Sequence, residues 1–237
     1  MKSFIFCTSY FDNDEIFRKR YLKWINYYTN HPFTDNKNIF INDDGSDLKY
    51  MIDSRASVHD ADAHARWGTF PKLDSKITLF THDERKKAPE TAMYAHAEGW
   101  WRSVILAFKI AKEYNFEKII HLESDAYLVS KRMFEYVDSL NQGWVSMFCP
   151  KYGVPESSIQ IVCKDQFDNF ENFISCGYEE LARKQTCAEN LIPFTHVETG
   201  LVGDRYGEIM DTEKYMDQPP NIDYFCQVHP NTNVIAE

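Results

Sequence analysis

Apolar residues in this chain alternate between short extended runs and helical stripes. The short runs, which are typical of buried strands, span Ser3 to Ser9, Asn38 to Asn42, Lys76 to Phe80 and Glu117 to Leu122. Between these runs, apolar positions recur every three to four residues over Glu15 to Tyr28 and from about Met93 to Tyr114, the spacing of one helix face. Strands that alternate with helices in this way predict an α/β domain with a mostly parallel central sheet flanked by helices.

The pattern becomes less regular after residue 130. Ser130 suits the N-cap of a helix that runs to about Leu140. Further elements are expected as strands at Trp144 to Phe148 and Ser158 to Val162, and as helices near Phe167 to Cys176 and Glu179 to Cys187. The stretch from Leu48 to Lys76 has no clear period and is interpreted as a mobile insertion. We therefore expect a single domain over residues 1–237.

Composition and charge narrow the classes of function. The 237 residues include 43% hydrophobic and 15% aromatic residues, as in a folded globular protein. The net charge of -10 argues against general affinity for nucleic acid or anionic membranes, because both need a basic face. No stretch approaches the ~20 apolar residues of a membrane span, and the apolar start reaches Asp12 and Asp14 too soon for a secretory signal. We expect a soluble, cytoplasmic protein.

Two carboxylates that follow an apolar run are the first candidate for chemistry. Glu123 and Asp125 come directly after the run that ends at Leu122. Because strand side chains alternate in direction, these two can point to the same side while Ser124 points away. Open α/β sheets bind ligands beyond the carboxyl ends of their strands, so a divalent ion could lie between the two carboxylates. The alternative is a solvated acidic turn.

Three other stretches carry candidate residues, each with a plainer alternative. Asp43-Asp44-Gly45-Ser46 also follows a predicted strand, where it suits a ligand or an ordinary Asp-Gly turn. Arg102, near a helix start, has a planar fork that matches phosphate oxygens, but it could equally be a surface arginine beside core tryptophans. His59, Asp60, Asp62 and His64 could bind a transition ion, although their spacing matches no established metal motif and favours a solvated loop.

The order of these pieces resembles the nucleotide-sugar-dependent glycosyltransferases of the GT-A type. A first strand, a second that ends in Asp43-Asp44-Gly45-Ser46, a third strand, an arginine-bearing helix and then Glu123-Ser124-Asp125 match that family's strand, Asp-Asp-Gly-Ser, helix and strand-Asp-x-Asp. The resemblance covers residues 1–150, which implies a nucleotide-sugar-binding part there and an acceptor-side part over 151–237. The chain departs from the family in its Glu-x-Asp, in Trp100-Trp101 before the arginine and in its long insertion.

The resemblance also implies which residues bind the donor. Asp43 or Asp44 would contact the nucleoside, Thr8 and Ser9 would line the nucleotide pocket, and Arg102 would face the donor. Glu123 and Asp125 would hold Mn²⁺ or Mg²⁺, which neutralises the charge on the departing nucleoside diphosphate. Asp125 is the stronger candidate for direct ligation, and Glu123 could instead reach the ribose or bind the ion indirectly.

Residues from the last third would complete the site. Some GT-A enzymes add a late histidine as a metal ligand, and His229 occupies a comparable position, with His196 as a rival. An inverting enzyme also needs a base for the acceptor hydroxyl, for which Glu198 and Asp204 are the candidates. A retaining enzyme would need no such base.

These implications favour a metal-dependent glycosyltransferase of polysaccharide biosynthesis. It would transfer a sugar from a nucleoside-diphosphate sugar to a glycan or lipid-linked acceptor, with peripheral membrane association left open. One alternative is a sugar-phosphate nucleotidyltransferase, but the usual glycine-rich basic segment after the first strand is replaced here by the acidic, glycine-free stretch Ser9 to Asp14. Another is a non-catalytic carbohydrate- or nucleotide-binding module.

Overall fold

The computed structural model describes residues 1–50, 53–63, 69–86, 97–184, 186–206 and 221–228, which fold around a central β-sheet. Its strands are β1 Ser3–Ser9, β2 Asn38–Asp43, β3 Ala56–Asp60, β4 Ile77–Thr81, β5 Lys118–Leu122, β7 Trp144–Cys149, β8 Val154–Cys163 and β9 His196–Glu198. They lie in the order β3-β4-β2-β1-β5-β8-β7-β9. All neighbours from β3 to β5 run parallel, and β8 pairs antiparallel with both β5 and β7. The prediction of an α/β fold with a mostly parallel sheet is confirmed.

Helices cover both faces of this sheet. Their bounds are Asp14–Ile16, Phe17–Leu22 (a π-helix), Lys23–Thr29, Ala97–Glu113, Lys131–Ser139, Phe167–Ile174, Tyr178–Arg183 and Ala188–Leu191. The alternation of side chains along β1 separates two hydrophobic clusters. The segments Asp14–Ile16, Phe17–Leu22 and Lys23–Thr29 follow one another without a break and form the first helical stretch. Its Trp24 packs in one cluster with Ile5, and Phe4 packs in the other with Trp101 and Phe108 of the Ala97–Glu113 helix.

The structure differs from the predicted elements at the sheet edge. The strand β3 lies within the stretch interpreted as a mobile insertion, so that interpretation is wrong for Ala56–Asp60. This edge strand has no buried face, and its Val58 is 42% exposed, which explains why it shows no apolar period. The predicted cap is confirmed, because the Ser130 hydroxyl accepts a hydrogen bond from the N–H of Met133 at 3.0 Å.

A second, three-stranded sheet brings the late part of the chain to the Glu-x-Asp turn. It consists of β6 Tyr127–Leu128, β10 Gly203–Asp204 and β11 Tyr224–Phe225 in the order β10-β11-β6. Since β6 begins two residues after Asp125, its pairing with β11 fixes residues 221–228 beside that turn. The N–H of Val228 donates to the carbonyl of Asp125 at 2.9 Å. Among the described helices, none is both long and apolar enough to cross a bilayer.

Candidate functional site

A cleft of about 740 Å³ opens at the carboxyl ends of β1, β2 and β5. The parallel register places Ser9 opposite Asp43 and aligns β1 with β5, so residues that follow these strands converge on one edge. The cleft is lined on its strand side by Thr8, Ser9, Tyr10, Asp44, Glu123, Ser124 and Asp125, from the helices by Arg20, Tyr21, Gly99, Trp100, Trp101 and Ser103, and from the β4–helix loop by Arg85 and Lys86. Its far wall comes from Ser157, Ser158, Thr186, Cys187, Ala188, Glu189, Arg205 and Gln227.

Glu123 is held in place by donors from three separate elements. Thr8 donates its hydroxyl to both carboxylate oxygens at 2.7 and 3.0 Å, and the indole N–H of Trp100 donates to Oε1 at 2.6 Å. Nε2 of His121 lies 2.7 Å from the same oxygen. Burial would raise the pKa of Glu123, but His121, Thr8 and Arg20 outweigh it and hold that pKa below its usual value. Glu123 is therefore an oriented carboxylate at the floor of the cleft.

The tautomer of His121 follows from its neighbours on the antiparallel side of the sheet. The indole N–H of Trp144 donates to Oε1 of Gln160 at 3.0 Å, and the Gln160 amide N–H lies 2.9 Å from Nδ1 of His121. An amide N–H can only donate, so Nδ1 accepts and Nε2 carries the proton that is given to Glu123. The ring of Phe6 stacks on this imidazole at 4.3 Å. A buried chain of hydrogen bonds thus fixes the orientation of Glu123.

Asp125 faces a cation from the first helical stretch. Nη2 of Arg20 donates to Oδ2 of Asp125 at 2.7 Å, and Nε of Arg20 donates to the hydroxyl of Ser124 at 2.6 Å. Burial raises the pKa of Asp125 to about 6; Arg20 opposes this rise, and Glu123 adds to it. Because residues 123–126 form a turn closed by the Ala126 N–H on the Glu123 carbonyl at 2.8 Å, Ser124 lines the cleft as well. The expectation that Ser124 points away is wrong, since it assumed an extended strand.

The donor set at this turn fits a hard divalent cation. Carboxylate oxygens are the ligands that Mg²⁺ and Mn²⁺ prefer. Oδ1 of Asp125 accepts no hydrogen bond from another residue among those the structure describes, whereas Oδ2 is taken by Arg20. The carboxylate of Glu123 is itself hydrogen-bonded, as is usual for ligating carboxylates. Asp125 is thus the more available of the two predicted ligands.

Asp43 and Ser9, both predicted to meet the nucleotide, are engaged in the fold. The carboxylate of Asp43 is fully buried and accepts hydrogen bonds from the hydroxyls of Ser9, Ser46 and Thr81 and from the N–H groups of Gly45 and Ser46. Gly45 has a φ of 82°, a conformation that glycine adopts without strain. Asp43 therefore shapes the loop after β2, and Ser9 contributes to the cleft wall with its hydroxyl already bonded.

Asp44 is the member of the Asp-Asp pair that reaches the cleft. It forms an ion pair with Arg102, which also donates to the Glu84 carbonyl at 2.8 Å, and it accepts the N–H of Lys86 at 3.2 Å. A Cβ on Gly99 would lie 2.5 Å from Cγ of Asp44, so the close approach needs glycine there. Arg102 is 8% exposed and does not line this cleft. Its predicted contact with the donor stays a prediction, while its observed contacts hold Asp44 and the loop at Glu84.

Sequence reasoning missed several cations and aromatic residues of the cleft. The guanidinium of Arg85 lies 3.5 Å from the ring centroid of Tyr10, and Lys86 lines the cleft beside it. Arg20 and Trp100 complete the set. The charged segment Asp83 to Glu90 was a visible signal, because cations in a loop after a parallel strand lie at the ligand-binding edge. Arg20 had no such signal, since it lies in an amphipathic helix far from the motifs.

The far wall of the cleft holds a second buried ionic group that sequence reasoning also missed. Nε of Arg205 donates to Oε2 of Glu156 at 2.6 Å, and its Nη2 donates to Glu189. The hydroxyl of Ser157 donates to Glu189 at 3.0 Å, and Glu156 is 1% exposed. Glu189 thus presents a carboxylate on the side of the cleft opposite β1.

The predicted bases lie away from the cleft lining. Glu198 accepts the N–H of Gly200 at 2.6 Å and lies 3.5 Å from the ring of His196, and neither side chain lines the cleft. Asp204 accepts the thiol of Cys149 at 3.2 Å and the N–H of Lys151 at 3.0 Å, and it does not line the cleft either. Both assignments stay predictions. The predicted metal ligand His229 lies outside the described residues, which end at 228.

A separate acidic group lies at the end of β3 and in the loops that follow β3 and β4. Asp60, Asp62 and Asp83 place carboxylate oxygens within 4.8 Å of one another. Asp62 already accepts the N–H of Asp83 at 2.9 Å and lies 2.7 Å from Nδ1 of His82. His64, which the sequence suggested as a companion ligand, lies outside the described residues. This group does not share the cleft with Glu123 and Asp125.

Comparison with known proteins gives a match to solved structures. No protein-family model and no curated protein sequence matches the chain. The galactosyltransferase LgtC, solved with donor and acceptor sugar analogues, matches with a TM-score of 0.52 at 8% identity, over 96% of this chain and 87% of LgtC. A glycosyltransferase involved in glycosylation of the major capsid of PBCV-1 matches over 97% of this chain and 95% of its own length, at 12% identity and a TM-score of 0.44.

A third match is the mannosyltransferase PcManGT from Pyrobaculum calidifontis, solved with GDP-Man and Mn²⁺. It is 14% identical over 71% of this chain and 46% of PcManGT, with a TM-score of 0.40. The likeness to LgtC carries the assignment of the fold, because its alignment spans nearly the whole chain. The resemblance drawn from the motif order is confirmed at the level of the fold: this chain has the GT-A fold of nucleotide-sugar-dependent glycosyltransferases.

Proposed function

We propose that this protein is a glycosyltransferase that moves a sugar from a nucleoside-diphosphate sugar to a glycan or lipid-linked acceptor with the help of a divalent ion. The observation that carries the proposal is the shared cleft of Glu123 and Asp125 with the cations Arg20, Arg85 and Lys86. A nucleoside diphosphate carries negative charge that such cations recognise, and oxygen ligands hold the metal that accompanies it. The GT-A fold supports this assignment as an analogy of architecture.

The chain's own residues divide the work along the cleft. Asp125 and Glu123 would hold Mn²⁺ or Mg²⁺, and a bound ion of this kind neutralises charge on the leaving diphosphate. Arg85 and Lys86 stand where they can bind phosphate oxygens, and Asp44 can accept hydrogen bonds from a nucleoside hydroxyl. The ring of Tyr10 lines the cleft and carries the Arg85 guanidinium over its face, which positions that cation. This arrangement orients the donor and places its leaving group among cations.

The acceptor belongs on the far wall in this proposal. Ser157 and Glu189 line that wall, with the Ser157 hydroxyl donating to the Glu189 carboxylate and that carboxylate paired with Arg205; their remaining acceptor positions suit the hydroxyl groups of a sugar. If transfer inverts configuration, a carboxylate must take the proton of the acceptor hydroxyl. Glu198 and Asp204 remain predictions for that base, and Glu189 joins them because it lines the cleft.

A cytoplasmic location and a role in polysaccharide biosynthesis also belong to the proposal. The six cysteines are widely spaced, without a Cys-x-x-Cys pair, which fits a reducing compartment.

Calorimetry with UDP and GDP, each with and without Mn²⁺, tests the proposal. We expect one nucleotide to bind at least tenfold more tightly with Mn²⁺, and Asp125→Asn to remove that gain while keeping the fold, because it removes charge at constant volume. Slow hydrolysis of UDP-, GDP-, dTDP- and CMP-sugars then identifies the donor, and Asp125→Asn should abolish it.

Two outcomes would point to the alternatives. Metal-independent binding of sugar alone would favour a non-catalytic module. Turnover of nucleoside triphosphates with sugar phosphates, without hydrolysis of any nucleotide sugar, would favour a nucleotidyltransferase. Full hydrolysis by Asp125→Asn would contradict the metal assignment.

A further inference from the structure

Arg20 lies at an unusual place in the first helical stretch. The segment Phe17–Leu22 is π-helical, between α-helical turns at Asp14–Ile16 and Lys23–Thr29. Wide turns of this kind occur rarely and often mark functional positions in helices. The neighbouring basic residues Arg18 and Lys19 point to the surface and pair with Asp14 and Glu15 on their own helix. Arg20 instead reaches across to residues more than a hundred positions away.

The contacts of Arg20 bind it to the middle and last residues of the Glu-x-Asp turn. Its Nε donates to Ser124 and its Nη2 donates to Oδ2 of Asp125, at 2.6 and 2.7 Å. The Arg20 side chain is 36% exposed and the Asp125 side chain is 12% exposed, so the pair lies at the cleft surface with the arginine on the open side. In the structure, Arg20 is thus the cation that neutralises Asp125.

A divalent ion bound at Asp125 would compete with Arg20 for the same carboxylate. An ion on Asp125 would add positive charge next to the guanidinium, and like charges at that distance repel by an amount that is large in a partly buried site. The same ion would arrive with a diphosphate, whose oxygens a guanidinium fork can bind in a bidentate geometry. The Arg20 side chain is 36% exposed and lines the cleft, so it is open to a ligand bound there.

We propose that Arg20 is an exchangeable counter-ion: it neutralises Asp125 in the donor-free protein and passes to the donor's diphosphate when a divalent ion takes Asp125. The inference rests on the proposed function, and it assigns Arg20 two opposing effects. It weakens binding of the ion alone and strengthens binding of the ion together with a nucleoside diphosphate. The consequence is that the protein binds the ion well only when the donor is present.

Calorimetric titrations of Arg20→Gln at pH 8 test this exchange. The variant should bind Mn²⁺ alone roughly tenfold more tightly than the wild type, because a competing charge is gone. It should bind UDP or GDP in the presence of saturating Mn²⁺ roughly tenfold more weakly, because a charged contact with phosphate is gone. A purely structural role for Arg20 would shift both affinities in the same direction, so the opposite signs are the diagnostic result.

Three further variants complete the design. Arg18→Gln is the matched control, because Arg18 lies on the same helix and pairs only with Asp14 at 3.5 Å among the described residues, so both affinities should stay at wild-type values. Arg20→Lys keeps the charge without the fork and should give intermediate values for both ligands. Asp125→Asn should remove the Mn²⁺ signal at this site, which distinguishes it from any ion at Asp60, Asp62 and Asp83.

Distinct results would overturn the exchange and the proposed function. Unchanged Mn²⁺ affinity in Arg20→Gln, or loss of both affinities with a lowered melting temperature, would overturn the exchange. If the wild type binds none of UDP, GDP and dTDP with Mn²⁺ and hydrolyses no nucleotide sugar, the proposed function fails, and the Mn²⁺ titration alone decides whether Arg20 competes with the ion.

Discussion

Replacing His121 with Phe tests whether the hydrogen-bond chain behind Glu123 organises the cleft. Phenylalanine keeps an aromatic ring against Phe6, which stacks on the imidazole at 4.3 Å, so the packing is largely retained. The change removes the donor to Glu123 at 2.7 Å and the acceptor for Gln160 at 2.9 Å. The perturbation is therefore a loss of polar contacts in a site that stays filled.

The expected cost follows from the partners that remain. A hydrogen bond to a charged group contributes about 1.5–3 kcal/mol. Glu123 keeps its bonds from Thr8 and Trp100, and the Gln160 amide keeps the Ser157 carbonyl at 3.1 Å, so neither group is left without a partner. We expect a loss of about 2 kcal/mol in unfolding free energy, which for a chain of this size lowers the melting temperature by about 4–8 °C. The pKa of Glu123 should rise, because burial favours its neutral form and the hydrogen bond from His121 that opposes burial is gone.

Thermal denaturation and calorimetry of UDP with Mn²⁺ provide the two readouts. His121→Phe should also weaken nucleotide binding by about tenfold, since one lost charge-assisted contact lets Glu123 turn. Gln160→Met is the control: it leaves Trp144 without its acceptor and Nδ1 of His121 without its donor, and it lowers stability by about 1–3 kcal/mol. The Glu123 carboxylate still favours a proton on Nε2 of His121, so Glu123 keeps its donors and nucleotide affinity stays within about twofold. Wild-type stability in His121→Phe, or equally weak nucleotide binding in both variants, would refute the orienting role of His121.

Two further predictions concern the segments that frame the cleft. Asp223→Ala should lower the unfolding free energy in urea by about 2–4 kcal/mol, because it leaves the buried hydroxyl of Ser130 and the N–H of Val202 without their acceptor. Arg132→Ala should cost much less, since Arg132 is 58% exposed and solvent screens its ion pair with Asp223; equal losses in the two variants would show that the ion pair dominates. In EDTA, Asp125 should contribute a part of the unfolding free energy that falls as the pH rises from about 4 to about 6, because burial holds its pKa at about 6 when folded and the folded state therefore keeps a proton there in that window. Urea titrations across this range should show a more negative slope of unfolding free energy against pH in the wild type than in Asp125→Asn; identical slopes would contradict the raised pKa.

Local patterns predicted the strand ends and the edge of the sheet that carries the cleft. Each parallel strand shows an apolar run, and the carboxyl ends of such strands must converge, so Glu123 and Asp125 could be placed at that edge. Thr8 was placed there by the resemblance to the GT-A enzymes. The edge strand Ala56–Asp60 was not predicted, because it has no buried face and its apolar residues therefore show no strand period. The role of Arg20 was not predicted because its partner Asp125 is 105 residues away, and no helix pattern indicates which arginine turns inward.

The carboxylates of the two motifs show what sequence cannot decide about a site. Asp43 and Asp44 are adjacent and chemically identical, yet Asp43 is fully buried among hydroxyl and N–H donors. Asp44 lines the cleft and is held there by its ion pair with Arg102. Glu123 is held by donors from three elements, whereas Asp125 shares one oxygen with a partly exposed arginine. Whether a carboxylate can bind a ligand depends on how many donors it already accepts, and those donors come from distant parts of the chain. For this reason Asp125, whose one competitor among the described residues is the partly exposed Arg20, is the residue on which binding of an ion and of a diphosphate should depend most.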